Sequence, residues 1–124
     1  MKLNVETENH PKYLRITATG EYSFEFLFDF ISKVKTEADN AGCSRVLIDC
    51  RKVTGGMAEF ERFHGGKRIA EVFGSSLKAA LLMQPQNVTK LGELAAVNRG
   101  ARFLVSVSET EAIDWLLDDR RTTK

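Results

Sequence analysis

Hydrophobic and polar residues alternate at the start of the chain, the pattern of a β-strand with one buried face. Leu3 and Val5 alternate with polar neighbours, and after a turn at 9–12 the residues Leu14, Ile16 and Ala18 do the same. We therefore predict that the chain opens with an antiparallel hairpin.

The segment from Ser23 to Ala41 fits a helix better than a strand. Phenylalanines at 24, 26, 28 and 30 alternate as in a strand, yet the apolar residues also recur at helical spacing. The segment is too long for one strand, so we predict a helix with an N-cap at Ser23 and an end at Gly42. Phe26 and Phe30 lie on the flank of its apolar stripe. They either pack at the edge of the core or form an aromatic pair at a subunit interface.

The stretch from Arg45 to Gly56 is the centre of the chain. Its apolar run ends at Asp49, which predicts a buried strand whose C-terminal end opens onto a loop. Such strand ends are where ligands and partners usually meet an α/β sheet. The candidate contact loop comprises Asp49, Arg51, Thr54, Gly55, Gly56 and Glu59. The alternative is that Asp49 only ends a strand and the glycines only turn the chain.

Helices and strands alternate through the second half of the chain. We predict a helix from Ala58 to Phe73, in which Gly66 lies on the apolar arc and lets the helix approach the sheet closely. That arc consists of Phe60, Phe63, Ile69, Ala70 and Phe73. A buried strand is expected over 78–83.

A short helix then follows, ended by Gly100, and a strand over 103–105 precedes a last helix. The inward-facing residues of the short helix are predicted to be Val88, Leu91, Leu94 and Ala95. Ser108 and Glu111 form a capping box that opens the last helix, which buries Ile113, Leu116 and Trp115. The tail 118–124 is charged and expected to fray.

The predicted order is β-β-α-β-α-β-α-β-α, which indicates an α/β fold with a mixed sheet and parallel members. At 124 residues, the chain is expected to form a single domain over 1–124. Polar residues follow three of the strands, including Gln84, Gln86, Asn87, Ser106 and Ser108. Arg45, Lys78 and Arg102 start the same strands, and we expect them at the opposite sheet end as solvated residues or, alternatively, as an anion site.

Composition narrows the function classes. Eighteen basic residues face seventeen acidic ones, so no net field draws the chain to nucleic acid or to an anionic membrane. No run approaches the roughly 18 apolar residues of a membrane span, and no signal core is present, so we expect a cytoplasmic protein. Cys43 and Cys50 are expected to be free thiols. Motifs and spacings for a catalytic, cofactor or metal site are missing from the sequence.

The order of helices and strands along the chain, with the segment L-I-D-C-R-K-V-T-G-G at its centre, resembles the STAS domain of the SpoIIAA-like anti-sigma factor antagonists. Further similarity comes from the pattern around Phe60, Phe63 and Gly66, the K-A-A-L-L strand, Asn98-Arg99-Gly100, and the segment from Glu111 to Leu116. The resemblance covers nearly the whole chain and implies a regulatory module that works by protein contact.

Antagonists of this class carry a phosphorylatable serine in a D-S-S-G segment after the central strand. The matching positions here are Met57-Ala58-Glu59-Phe60, without a serine. Glu59 either supplies the negative charge that a phosphate supplies elsewhere or is an ordinary acid in a first helical turn.

Three hypotheses of function follow from the sequence. The first is a non-enzymatic STAS-like regulatory module with a protein partner, as a homodimer or in a complex. The second is a carrier of a small molecule or lipid, with an apolar pocket between the first two helices and the sheet. The third is an enzyme that uses Asp49 and His64.

Overall fold

The computed structural model describes residues 3–85 and 90–118. It contains nine elements in the predicted order. They are β1 (Asn4–Asn9), β2 (Leu14–Glu21), α1 (Phe24–Ala41), β3 (Arg45–Thr54), α2 (Glu59–Phe73), β4 (Lys78–Leu82), α3 (Leu91–Val97), β5 (Arg102–Ser106) and α4 (Glu109–Leu117). The α/β class predicted from the sequence is therefore confirmed.

One five-stranded sheet runs in the order β1-β2-β3-β4-β5. β1 and β2 pair antiparallel, which confirms the hairpin, and β2 to β5 are parallel. Because β2 to β5 are parallel, their C-terminal ends lie together at one end of the sheet, and a helix connects each strand to the next.

Local signals set the bounds of α1 as predicted. The Ser23 side chain accepts a hydrogen bond from the Glu25 N–H at 3.3 Å, so the N-terminus is capped. Gly42 ends the helix with φ of 69°, a left-handed conformation that glycine adopts without steric cost. The alternating phenylalanines therefore lie on a helix.

Each face of the sheet has its own core. Helices α1, α2 and α3 contribute to the larger core, in which Ile31, Val34 and Phe73 pack on inward-facing strand residues such as Ile16 and Val46. Helix α4 forms a second, smaller core on the other face. That core contains Leu47, Ala80, Leu82, Ala112 and Leu116. No helix in the described ranges is both long enough and apolar enough to span a membrane.

Four expectations about inward-facing residues are wrong. Phe60, Leu91 and Leu94 are exposed rather than buried, at 59%, 36% and 53% of their surface. Gly66 does not face the sheet, because a Cβ on it would lie 2.3 Å from the Gly92 carbonyl oxygen in α3. The close approach is therefore between α2 and α3. Val88 lies outside the described residues.

A candidate contact surface beyond the central strand

The central strand is longer than its apolar run. β3 continues past Asp49 to Thr54, pairing Lys52, Val53 and Thr54 with the end of β2. A register shift opposite Ala18 accommodates one extra residue of β3, which is the geometry of a β-bulge. The prediction that the strand ends at Asp49 is therefore wrong, since paired backbone extends it through polar residues.

Asp49 and Arg51 belong to a cluster of four charged side chains on the face that carries α4. Arg51 donates to both carboxylate oxygens of Asp49, from Nε at 3.0 Å and from Nη2 at 2.8 Å. Arg15 Nη2 donates to Asp49 Oδ2 at 2.6 Å. Glu109 accepts from Arg51 at 2.9 Å and from Arg15 at 3.0 Å. Two cations and two anions thus fasten the start of α4 to β2 and β3.

The cluster keeps its acids ionised. The hydrogen bond from Arg51 lowers the pKa of Asp49, against burial, which raises it. Burial also raises the pKa of Glu109, yet the Arg51 hydrogen bond and the charge of Arg15 together bring that pKa below its ordinary value. Hydrogen bonding to Asp49 raises the pKa of Arg51. Asp49 is therefore ionised at neutral pH and is a poor proton acceptor there.

Arg15 and Glu109 were not among the candidate residues from the sequence. Arg15 occupies an ordinary polar position of an alternating strand, and Glu109 an ordinary acidic position in a first helical turn. The only signal available was that each is a charged residue on an element next to Asp49. Their pairing depends on which face α4 covers, and strand alternation alone leaves that open.

The loop that follows β3 is exposed and is not part of the charge cluster. Thr54, Gly55, Gly56 and Glu59 are all exposed, and Gly55 has φ of 92°, a conformation that favours glycine. The Tyr22 N–H donates to the Thr54 carbonyl at 2.8 Å, which ties the loop to the corner before α1. The six candidate residues thus divide into a closed charge cluster and an exposed loop.

The N-terminus of α2 is capped by Glu61. Its carboxylate accepts from the Ala58 N–H at 3.0 Å and from the Tyr22 hydroxyl at 3.0 Å, while Ala58 has no side-chain acceptor of its own. Burial, followed by this hydrogen bond to Glu61, raises the pKa of Tyr22. Glu59 points to solvent in the same turn and makes no hydrogen bond or ion pair with the part of the chain that the structure describes.

An exposed aromatic cluster flanks this loop. The Phe24 ring meets the Phe28 and Phe60 rings edge-on at 5.8 Å each, and Phe60 meets His64 at 6.2 Å. Phe24 and Phe60 are 36% and 59% exposed. Phe63 extends the group through His64 at 5.6 Å. We call Phe24, Phe28, Phe60, Phe63 and His64 the aromatic cluster.

Phe26 and Phe30, which the sequence places either at the edge of the core or at a subunit interface, are half-buried. Phe30 packs against the larger core, and both side chains line a shallow groove between α1 and β1. The helical spacing of the sequence indicated that α1 carries phenylalanines outside its main apolar stripe. It did not show that Phe24 would pair with Phe60 of another helix.

The polar residues that follow the parallel strands were expected to lie close together, and those that the structure describes do so. Gln84 donates to the Arg51 carbonyl at 2.6 Å, and the Met83 N–H donates to the Ser106 carbonyl at 3.1 Å. The Ser108 side chain accepts from the Glu111 N–H, as predicted, but the Glu111 carboxylate accepts from Ser106 rather than closing a capping box. Gln86 and Asn87 lie outside the described residues.

The opposite end of the sheet has Arg45, Lys78 and Arg102 in register. Lys78 is buried at 3% exposure, so the expectation of a solvated strand start is wrong for it. Its ammonium donates to the Trp115 carbonyl at 2.7 Å and to the Asp118 carbonyl at 2.9 Å. It also lies 4.6 Å from the Trp115 ring centroid. Lys78 therefore caps the C-terminus of α4.

The structure does not join Asp49 and His64. Asp49 lies in the charge cluster on the α4 face, whereas His64 is exposed on α2, which packs on the other face. Among the described residues there is no group of three His, Cys, Asp or Glu side chains placed to hold a metal. Cys43 and Cys50 are both free, as expected.

No family model matches the sequence. The CRISPR-associated endodeoxyribonuclease Cas12f2 of Micrarchaeota archaeon (strain CG1_02_47_40) is 24% identical over 113 residues, which cover 90% of this chain and 21% of that protein. The chain therefore spans about a fifth of the length of this curated relative.

Solved structures match nearly the whole chain. An anti-sigma factor antagonist from Mycobacterium paratuberculosis superposes with a TM-score of 0.64 at 12% identity, over 94% of this chain and 96% of that one. A DUF3478-family protein with a SpoIIAA-like fold from Shewanella loihica PV-4 gives 0.55 at 20% identity, over 92% and 93%. A serine-to-glutamate variant of RsbS from Moorella thermoacetica gives 0.55 at 18% identity, over 90% and 93%. The chain has the SpoIIAA-like fold that its sequence predicts.

Proposed function

We propose that this chain is a non-enzymatic STAS-like regulatory module of the cytoplasm that acts by contact with a protein partner, as a homodimer or within a complex. The observation that carries the proposal is the aromatic cluster beside the exposed loop 54–59. Exposed phenylalanines in contact across two helices are typical of protein interfaces and rare on a surface that only meets water. Similarity in fold to an anti-sigma factor antagonist and to RsbS supports the same class of function.

The contact surface combines an apolar centre with a charged edge. Phe60 and Phe24 provide the centre, and the exposed Glu59 carboxylate lies immediately before Phe60 on the first turn of α2. Arg68 stacks 4.4 Å from the Phe28 ring centroid, and Arg99 lies 5.2 Å from that of Phe63. A partner segment that inserts an apolar side chain between polar flanks is complementary to this arrangement.

The proposed module lacks the usual phosphorylation switch. Met57-Ala58-Glu59-Phe60 occupies the place of the serine-containing segment, so the charge at this position is the fixed carboxylate of Glu59. A carboxylate near a helix N-terminus is favoured by the helix dipole, as a phosphate would be. Partner binding is then expected to be constitutive.

In-cell photo-crosslinking tests this function. With p-benzoylphenylalanine in place of Phe60, we expect one discrete crosslinked product, whose mass distinguishes a second copy of this chain from another protein. The same probe in place of Val107 is a matched control, because Val107 is also exposed, at 46%, but lies at the corner between β5 and α4. Phe24→Ser is expected to remove the product. If position 60 gives no product above position 107, the proposal fails.

A further inference from the structure

An apolar cavity of about 130 Å³ lies within the larger core, between α1, α2 and the sheet. Ile31 and Val34 of α1, Ile69 of α2 and Ile48 and Leu81 of the sheet line its walls. Protein interiors are close-packed, and voids larger than a water molecule are few in each domain. An engineered apolar cavity of similar size stays dry and binds benzene or xenon.

The walls offer almost no polar group to a ligand. Cys50 contributes its thiol, whose pKa burial and then the charge of Asp49 raise to about 12, so the thiol stays neutral. Tyr22 also borders the cavity, but its hydroxyl already donates to Glu61. Arg62 is the one charged residue among the lining residues, and the rest of the wall would strip a charged ligand of its hydration without replacing it, so the chemistry favours a neutral ligand.

The cavity extends to the surface near the loop after β3. Gly55, which is exposed, and Met57 and Leu3, which are half-buried, form this end of its wall. Met57 has a flexible, polarisable side chain that adapts to irregular apolar shapes. This end of the cavity, beside the loop after β3, is where a ligand would enter.

We propose that this cavity is a binding site for a small neutral apolar molecule about the size of one aromatic ring. The site differs from the proposed protein contact, because its walls are mostly inward-facing residues of the larger core whereas the aromatic cluster is exposed to solvent; the loop after β3 borders both. Its volume is below the roughly 300 to 1,000 Å³ of pockets that hold drug-sized ligands, which limits the ligand to a compact one.

Benzene is the probe for this site, titrated into the full chain while methyl resonances are followed by NMR. We expect saturable shifts for Ile48, Ile69 and Leu81, and none for Leu116 in the second core. No saturable shift up to the aqueous solubility of benzene would overturn the proposal. Equal shifts in both cores would overturn it as well.

Cys50→Met places a larger, flexible side chain in the cavity and is expected to weaken benzene binding at least tenfold. Cys43→Met is the matched control, because Cys43 is also a half-buried free thiol packed on the same core but does not line the cavity. It is expected to bind as the unaltered chain does. If Cys50→Met fails to fold, Leu81→Phe replaces it. If a folded Cys50→Met or Leu81→Phe variant binds benzene with the affinity of the unaltered chain, the proposal is contradicted.

Discussion

At the scale of single residues, Asp49 has a role that its position in the sequence did not indicate. It follows an apolar run, as a strand-end functional carboxylate does, yet Arg15 and Arg51 hold it at hydrogen-bond distance. Its side chain is 10% exposed, so its charge is largely desolvated and depends on these partners. Removing the charge would leave the two guanidinium groups with Glu109 as their remaining shared carboxylate.

We predict that Asp49→Asn lowers the free energy of unfolding by about 2 to 3 kcal/mol at neutral pH. The folded pKa of Asp49 lies below its ordinary value of 3.8, so the folded state binds fewer protons than the unfolded state in that range. The stabilisation is therefore complete above about pH 5 and is lost as pH falls through the folded pKa. Urea unfolding at a series of pH values measures both effects.

The substituted chain should show a shallower loss of stability in acid than the unaltered chain. Asp114→Asn is the control, because Asp114 is an exposed aspartate on α4 outside the charge cluster. Its pH dependence is expected to match that of the unaltered chain. An identical acid slope for Asp49→Asn would show that the cluster contributes no linked stability.

At the scale of elements, two adjacent glycines on α2 differ because neighbouring helices approach from different sides. A Cβ on Gly66 would lie 2.3 Å from the Gly92 carbonyl oxygen and 2.9 Å from the Ala95 Cβ, both on α3. A Cβ on Gly65 would meet only the Leu27 Cδ2 atom, at 3.2 Å. Gly66 therefore permits the helix crossing, whereas Gly65 lies against a side chain that can move.

We predict that Gly66→Ala lowers the free energy of unfolding by about 1 to 3 kcal/mol, because α2 and α3 must separate to admit the methyl group. Gly65→Ala is the matched control on the same helix, and its higher helix propensity, worth up to about 1 kcal/mol, is expected to offset the contact with Leu27. Thermal unfolding of both variants gives the comparison. Equal destabilisation by the two substitutions would contradict this account of the crossing.

At the scale of the whole molecule, α4 is the only described helix on its face of the sheet, and polar contacts hold both of its ends. Glu109 joins the charge cluster at the N-terminus. The buried ammonium of Lys78 binds carbonyls at the C-terminus, where a cation also suits the helix dipole. These contacts fix the register of α4 on a small apolar core.

We predict that Lys78→Met costs about 1 to 3 kcal/mol of stability, since the half-buried carbonyl groups at the end of α4 lose a charged donor. Lys52→Met is the control, because Lys52 is an exposed lysine on β3. Amide hydrogen exchange is expected to rise first in α4 and to stay unchanged in α1. Uniform acceleration across both helices would indicate that α4 does not open independently.

The sequence by itself determined the order of elements, the opening hairpin and the bounds of α1. These depend on hydrophobic period and on short-range caps such as Ser23 and Gly42, whose partners lie within a few residues. The SpoIIAA-like fold was also recognisable, because it follows from that order of elements.

Only the tertiary structure decided which side chains meet. The joining of Arg15 with Glu109, the burial of Lys78 and the exposure of Phe60 all depend on which face of the sheet each helix covers. Strand alternation tells which residues share a face, but not which helix packs there. The cavity likewise arises from how helices and sheet fit together, a property of packing that a pattern along the chain does not contain.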